Sequence, residues 1–247
     1  CSGPVTQGAA VLQLDRVVLE QDGFRLTADW ALPQGARAAV IGPSGAGKST
    51  LLAAIAGFLA PASGRILWQG QEIGPLPPGQ RPLSILFQDQ NLFPHLTVAQ
   101  NIGLGLRPDL RLSPEDRVRV EAALSRTGLA GLGTRKPAQL SGGQASRAAL
   151  ARVLLRARPL LLLDEPFAAL GPALKTEMLD LVAALAGETG ATVLMVTHDP
   201  DDALHLTDQT VLVAEGRAEP PVPTQALFAA PPPALRAYLG ETKNPAR

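Results

Sequence analysis

A glycine-rich segment, GPSGAGKST at residues 42–50, places a lysine and two hydroxyl side chains directly after closely spaced glycines. It fits the G-x-x-x-x-G-K-[ST] pattern, in which backbone N–H groups surround phosphate oxygens. In that pattern Lys48 reaches the β and γ oxygens and the Ser49 hydroxyl ligates Mg²⁺. The residues expected to touch a nucleotide are Gly42, Pro43, Ser44, Gly45, Ala46, Gly47, Lys48, Ser49 and Thr50. The segment therefore predicts a site for a nucleoside triphosphate and Mg²⁺, a chance match in a glycine-rich loop being the weaker alternative.

Two acidic residues, Asp164 and Glu165, close the apolar run LLLL. That run predicts a buried strand, and parallel α/β sheets bind ligands at the carboxyl edge of their strands. We expect Asp164 to hold the Mg²⁺ shell and Glu165 to polarise the attacking water as a general base. A solvated loop that happens to begin with two acids is the weaker interpretation.

His198 and Gln88 are further polar candidates for the same chemistry. His198 follows the apolar run TVLMVT and can donate a hydrogen bond to a γ-phosphate. Gln88 lies in LFQDQNLF, where the chain passes between two predicted lobes, and a glutamine there can contact metal or water. His95 and His205 are expected to be structural or surface residues.

A second glycine loop, LSGGQ at residues 140–144, opens a predicted helix. Ser141, Gly142, Gly143 and Gln144 would form an anion cradle, since the first N–H groups of a helix are unpaired and glycine permits close approach. The chain thus carries two candidate phosphate-binding loops, which raises the question of which phosphate the second one binds.

The elements that would position these residues alternate between strand and helix. ARAAVIG, PLLLLDEP and ATVLMVTHD are continuous apolar runs typical of buried parallel strands, and helical periodicity separates them. The first third of the chain favours short, partly alternating strands, whereas residues 88–158 favour helices, one beginning at Ser113 as N-cap with Pro114 at N1. TVLVAEGRAE predicts a final hairpin, and the proline-rich tail predicts one short helix.

Composition narrows the function classes. Lys plus Arg equals Asp plus Glu at 22 each among 247 residues, so no bulk charge attracts nucleic acid or anionic lipid. Cys1 is the only cysteine, which excludes a disulfide framework and favours a reducing compartment. No apolar run reaches the ~20 residues of a membrane span, and no signal-peptide pattern opens the sequence.

Taken together, these motifs in this order resemble the ATP-binding subunits of ABC transporters. LSGGQ with both nucleotide motifs is the most specific part, and PASGRI, RPLSILFQDQNLFPHLTVAQNIGLGLRPDLRL and LLLLDEPFAAL are most similar to ATPases of bacterial thiamine importers. The resemblance implies an α/β P-loop NTPase of the ABC ATPase type, with a mixed or parallel β-sheet core, an antiparallel β-subdomain and an α-helical subdomain. Residues 1–247 would form one ATPase domain. Its parts would be a catalytic core with β-subdomain at 11–87 and 159–219, a helical subdomain at 88–158 and a tail at 220–247.

The resemblance also implies a role for the second cradle. In the family, two subunits pair head to tail, and the LSGGQ loop of one closes over the ATP held by the other. The implied catalytic residues are Glu165, His198 and Gln88, the Mg²⁺ ligands are Ser49, Gln88 and Asp164, and the cofactors are ATP and Mg²⁺. The implied partners are a second copy, membrane permease subunits and, indirectly, a periplasmic or surface solute-binding protein, without nucleic acid. The subunit would lie peripherally on the cytoplasmic face of the bacterial inner membrane, with its permease contacts near Leu92, Phe93 and Leu96, although core burial of these three is nearly as well supported.

Three departures from the family pattern stand out. An aromatic residue that stacks on adenine is usual near LEQDGF, where Gln21 or its neighbours stand, so the stack is missing or made by Phe24. Gly171 replaces an aspartate through which the two sites sense each other, which predicts slow or weakly coupled hydrolysis, unless backbone contacts suffice. After LSGGQ, Ala145, Ser146 and Arg147 replace Arg-Gln-Arg, and the arginines at 147, 152, 156 and 158 are expected on a solvated helix face.

Other functions fit the sequence less well. An importer ATPase for a polyamine, iron, phosphate or an amino acid would share every motif above. A DNA-acting ABC ATPase would need a positive electrostatic footprint, which the balanced charge does not supply. A small-molecule kinase would leave LSGGQ unexplained.

Overall fold

The computed structural model describes residues 10–21, 23–87 and 92–240. Compactness divides the chain into unit 1, residues 1–82 with 190–247, and unit 2, residues 83–189. This division differs from the three predicted parts, because the strand that carries Asp164 and the helix after it group with the helical region. The predicted boundaries follow the subdomains that the resemblance implies, which a division by compactness does not test, so they stay a prediction.

The elements of the described residues have the following bounds. The strands are β1 Ala10–Gln21, β2 Phe24–Pro33, β3 Arg37–Ile41, β4 Ser63–Trp68, β5 Gln71–Glu72, β6 Leu83–Leu86, β7 Leu160–Asp164, β8 Thr192–Val196, β9 Gln209–Ala214, β10 Arg217–Ala218 and β11 Val222–Pro223. The α-helices are α1 Lys48–Ala56, α2 Val98–Gly103, α3 Pro114–Arg126, α4 Gly142–Leu155, α5 Pro172–Thr189, α6 Pro200–Leu206, α7 Thr224–Ala229 and α8 Pro233–Leu239. None of these helices is long and apolar enough to cross a membrane.

The strands of unit 1 follow one hydrogen-bonded order, β5-β4-β1-β2-β10-β9-β3-β8. β1 pairs with β2 and β4 in antiparallel register, which forms the expected antiparallel layer. β3 pairs with β8 and β9 in parallel, and Val40 lies opposite both Val196 and Val211. The buried residues of β3 and β8 fit strands that are covered on both faces. β9 and β10 form the predicted final hairpin.

Unit 2 contains the parallel pair β6 and β7, with Leu86 opposite Leu163. Its helical core consists of buried residues from α2, α3 and α4 and the segment after α3, namely Val98, Ile102, Val120, Leu124, Leu129, Ala148 and Ala151. α3 begins as predicted: the Ser113 hydroxyl accepts from the Asp116 N–H, Asp116 accepts from the Ser113 N–H, and Pro114 fills the first helical position.

The tail of unit 1 differs from the expectation of one short helix, because it forms two, α7 and α8. Pro231 and Pro232 lie between them and Pro233 begins α8, since proline cannot continue α7 but is favoured at the first position of a new helix. Leu227 of α7 and Leu235 of α8 are buried with Ile41 and Leu212 of the central strands. The tail is therefore packed onto the strand that leads into the phosphate loop.

Candidate nucleotide-binding site

The phosphate loop begins where β3 ends at Ile41. Gly42 packs so closely on β9 that a Cβ atom there would lie 2.0 Å from the carbonyl oxygen of Val213. Gly47 adopts the left-handed conformation, with φ 98°, and a Cβ there would lie 2.5 Å from the Phe24 ring. Glycine is required at both positions, so the backbone of β9 and the ring of Phe24 set the path of the loop.

Lys48 is buried inside its own loop, with 8% of its surface exposed. Its Nζ donates to the carbonyl oxygens of Gly42 and Pro43, each at 2.8 Å. α1 starts at Lys48 without a side-chain N-cap, and Gly57 caps its C-terminal end. The next residue, Ser49, is exposed. The loop therefore combines a positioned ammonium group with a helix N-terminus that no side chain caps, both of which favour an anion.

His198 lies at the same sheet edge as the phosphate loop. Because β3 and β8 are parallel and Val40 lies opposite Val196, both strands end at the same edge of the sheet. The Thr197 N–H donates to Val40 O at 3.3 Å, and the Thr197 hydroxyl donates to Asp202 at 3.0 Å. The structure thus brings two predicted components, the loop at 42–50 and His198, to one edge of unit 1.

The hairpin between β1 and β2 borders a cavity of about 330 Å³, lined by Glu20, Gln21, Gly23, Phe24 and Arg25. Gln21 is exposed and pairs with Phe24 across the hairpin. The Phe24 ring is half-buried and lies against Gly47 of the phosphate loop. Phe24 is therefore an aromatic side chain that lies beside the phosphate loop, whereas Gln21 offers no ring.

Asp164 and Glu165 lie in unit 2, at the end of β7, and both are half-buried. The four leucines before them are buried, as the apolar run predicts. Glu165 has a φ of 45°, a left-handed conformation that costs about 1–3 kcal/mol for a non-glycine residue and tends to cluster at functional sites. Gln88 lies outside the described residues. No group of three His, Cys, Asp or Glu within the described ranges could hold a metal ion by itself.

The second glycine loop differs from the first in how its helix begins. The Ser141 hydroxyl accepts from the Gln144 N–H at 3.3 Å, and the Gln144 side chain accepts from the Ser141 N–H at 3.0 Å. Ser141 and Gly142 are exposed. A serine hydroxyl that accepts in this way keeps its own proton, so Ser141 can still donate to an anion.

Comparison with known proteins identifies the family. The family model for "ABC transporter" matches residues 27–168. The chain belongs to the ABC transporter family. It is 69% identical over 230 residues to a thiamine import ATP-binding protein of Cereibacter sphaeroides, covering 93% of this chain and 100% of the relative. It is 58% identical, with the same coverage, to the protein of that name from Ruegeria sp..

A solved structure supports the fold assignment. A nucleotide-free ATP-binding cassette from an ABC transporter matches with a TM-score of 0.83 at 24% identity, covering 94% of this chain and 99% of that chain. The predicted α/β fold of the ABC ATPase type is therefore confirmed.

Two of the departures from the ABC pattern now have a structural setting. Gly171 is exposed directly before α5, and a Cβ there would meet nothing within 4 Å, so a side chain would fit. Arg147 forms an ion pair with Glu177 at 2.6 Å, as expected, but it is half-buried, so the predicted solvated position is wrong for this residue. The solvated face predicted for Arg152 is wrong: this residue is half-buried, and burial lowers its pKa.

Two residues that matter to this site carried no sequence signal. Arg81 is only 1% exposed and donates to the carbonyl oxygens of Ala54 and Ile55 at 2.7 and 2.8 Å, which caps the C-terminal end of α1. Its remaining donors reach Leu76 O and Gly74 O. Tyr238 of α8 donates to the carbonyl oxygen of His198 at 2.8 Å. Backbone carbonyls leave no trace in a sequence, so only the uniqueness of Tyr238 as the single tyrosine could have drawn attention to it.

Proposed function

We propose that this chain is the ATP-hydrolysing subunit of an importer for thiamine, driving a separate membrane permease from the cytoplasmic face of the bacterial inner membrane. The observation that carries the proposal is the phosphate loop, with buried Lys48 and an uncapped helix start, in a chain that is 69% identical to a thiamine import ATP-binding protein over all of that relative. Close similarity along the whole length favours a shared cargo over the polyamine, iron, phosphate or amino-acid alternatives.

The phosphate loop binds ATP in this proposal by an exchange of hydrogen bonds. Lys48 moves from the carbonyl oxygens of Gly42 and Pro43 to the β and γ phosphate oxygens, and the first N–H groups of α1 approach the same oxygens. Phe24 stacks on adenine from its place beside Gly47. The remaining loop residues, Ser44, Gly45, Ala46 and Thr50, complete the backbone cradle.

Mg²⁺ fits the donors that the proposal assigns to it. Ser49, Asp164 and Gln88 offer hydroxyl, carboxylate and amide oxygens, the ligand type that this hard cation prefers. Bound Mg²⁺ would neutralise charge on the β and γ phosphates. Glu165 accepts the proton of the attacking water, and His198 donates a hydrogen bond to the γ-phosphate.

A second copy of the chain completes each site in the proposal. The exposed Ser141 and Gly142 of one subunit, with Gly143 and Gln144, approach the phosphates held by its partner. Since Ser141 accepts from its own helix and keeps its proton to donate, the loop is ready to bind an anion without rearrangement. The permease docks near Leu92, Phe93 and Leu96, of which Phe93 is 47% exposed.

Reconstitution tests the proposed function. The chain, its permease and the cognate thiamine-binding protein would be assembled in lipid nanodiscs, and ATP hydrolysis measured with and without thiamine. We expect thiamine to stimulate hydrolysis, and a Lys48→Ala complex to show neither basal nor stimulated activity. Stimulation by another solute but not by thiamine would overturn the cargo, and stimulation by DNA would overturn the transport role.

A further inference from the structure

The backbone at His198 is held on both sides. Before it, the Thr197 N–H donates to Val40 O, and the Thr197 hydroxyl bonds both Asp202 and the Asp199 N–H. After it, the His198 carbonyl accepts from the Tyr238 hydroxyl at 2.8 Å, across 40 residues of sequence. That carbonyl belongs to the planar peptide between His198 and Asp199, so the tyrosine restrains the orientation of this peptide. The histidine side chain projects from the Cα atom that joins this peptide to the restrained backbone at Thr197.

The helix that carries Tyr238 is itself fixed to the site. Leu235 of α8 is fully buried with Ile41, Leu212 and Leu227, and Tyr238 and Leu239 pack against this cluster. Ile41 is the last residue of β3, directly before Gly42 of the phosphate loop. Helix α8 therefore packs in the same cluster as the residue that precedes the phosphate loop, and it also bonds the backbone of His198.

The start of the tail is anchored to the sheet as well, at the first residue of α7. The Thr224 hydroxyl bonds the hydroxyls of Thr207 and Thr210 in a buried cluster at 3.3 and 3.0 Å. Arg236 donates to Pro231 O at 2.8 Å, a bond that stays within the tail. The hydrogen bonds of Arg236 and Tyr238 are exposed, whereas the threonine cluster and the apolar cluster around Leu235 that hold the tail are buried.

We propose that Tyr238 is a positioning residue for His198, and that the tail helix α8 thereby sets the geometry of ATP turnover. The inference rests on the proposed function, since it assigns to the tail a part in the action of His198. It gives the C-terminal segment a role in catalysis beyond covering apolar surface.

Tyr238→Phe tests the proposal because it removes the hydroxyl and keeps the ring that packs on the cluster. In the full-length chain assembled with its permease, we expect kcat for ATP hydrolysis to fall about threefold to tenfold, the effect of one lost hydrogen bond. KM for ATP should stay within about twofold, since Tyr238 does not touch the nucleotide. Arg236→Gln is the matched control on the same helix, and its kcat should equal that of the parent chain.

A double-mutant cycle separates positioning from a general structural effect. In a His198→Ala background, Tyr238→Phe should cause no further loss, because the hydroxyl acts through the histidine. Hydrogen–deuterium exchange should also rise in residues 196–203 of Tyr238→Phe and not in Arg236→Gln. An unchanged kcat for Tyr238→Phe, or an equal loss with and without His198, would overturn the proposal. If His198→Ala itself left turnover intact, the assigned role of His198 would be the part that fails.

Discussion

The two glycine loops, at 42–50 and 140–144, both lead into a helix, but they differ in how the first N–H groups of that helix are capped. α1 has Gly47 in the left-handed conformation at its N-cap and no side-chain cap, and Lys48 is buried against the carbonyls of its own loop. α4 has Ser141 in the extended conformation and a reciprocal pair of hydrogen bonds with Gln144. The start of α1 therefore has no side-chain cap, which favours an anionic ligand there. The start of α4 is capped by its own side chains and presents the exposed Ser141 hydroxyl.

This difference fits the proposal that the two loops have different roles. A loop with uncapped N–H donors and a buried ammonium group can bind a phosphate group by itself. A loop that is already capped has few donors to offer and adds to a site that exists elsewhere. The comparison therefore supports one binding loop and one closing loop, rather than two equivalent sites.

The largest expected effect comes from the lysine of the binding loop. Lys48→Ala should lower ATP hydrolysis by about 10²–10³-fold, the usual loss when a group that stabilises transition-state charge is removed. A fluorescent ATP analogue should also bind more weakly, as measured by titration. Arg119→Ala, an exposed cation on α3, is the control and should change neither value. Full activity of Lys48→Ala would remove the distinction between the two loops.

Arg81→Met tests how the far end of the binding helix is held. The substitution leaves the carbonyls of Ala54 and Ile55 without their buried donor, which should lower the free energy of unfolding by about 2–4 kcal/mol. Denaturant unfolding measures this value. Arg156→Met, at the exposed C-terminal end of α4, should cost less than about 0.5 kcal/mol. Equal losses would show that the two helices end in equivalent ways.

Gly171→Asp concerns communication between sites rather than either loop alone. An aspartate fits the open space at this position, and we expect ATP hydrolysis to rise about twofold to fivefold, a barrier change below 1 kcal/mol. Ala173→Asp places the same charge on an exposed position of α5 and should leave the rate unchanged. No increase for Gly171→Asp would mean that backbone contacts already couple the sites.

A further prediction concerns the adenine side of the binding loop. Gln21→Tyr would add a second aromatic ring opposite Phe24 and should tighten ATP binding about twofold to tenfold, the range for one aromatic contact. Calorimetric titration with ATP measures it, with Gln21→Leu as a control for added apolar surface. Unchanged affinity would assign the stacking to Phe24 alone.

Features with a local sequence pattern were predictable here. The glycine loop before α1, the Ser113 cap of α3 and the buried strand before Asp164 each depend on residues that are neighbours in sequence. The Arg81 contacts with α1 and the bond from Tyr238 to His198 join residues far apart in sequence and end on backbone carbonyls, so no local sequence pattern predicts them. The burial of Arg152 and the second tail helix likewise depend on packing, which periodicity alone does not specify.

The most direct test of the account is to mix two inactive variants, Lys48→Ala and Ser141→Arg, under conditions that allow subunits to exchange. Each variant alone should be inactive, although Ser141→Arg should still bind ATP. In a head-to-tail pair of one copy of each, Lys48 from one subunit meets Ser141 from the other, and one complete site forms. Because half of the pairs are mixed and each has one working site of two, ATP hydrolysis should recover to about a quarter of the parent rate. A mixture as inactive as its components would contradict a site shared between two subunits.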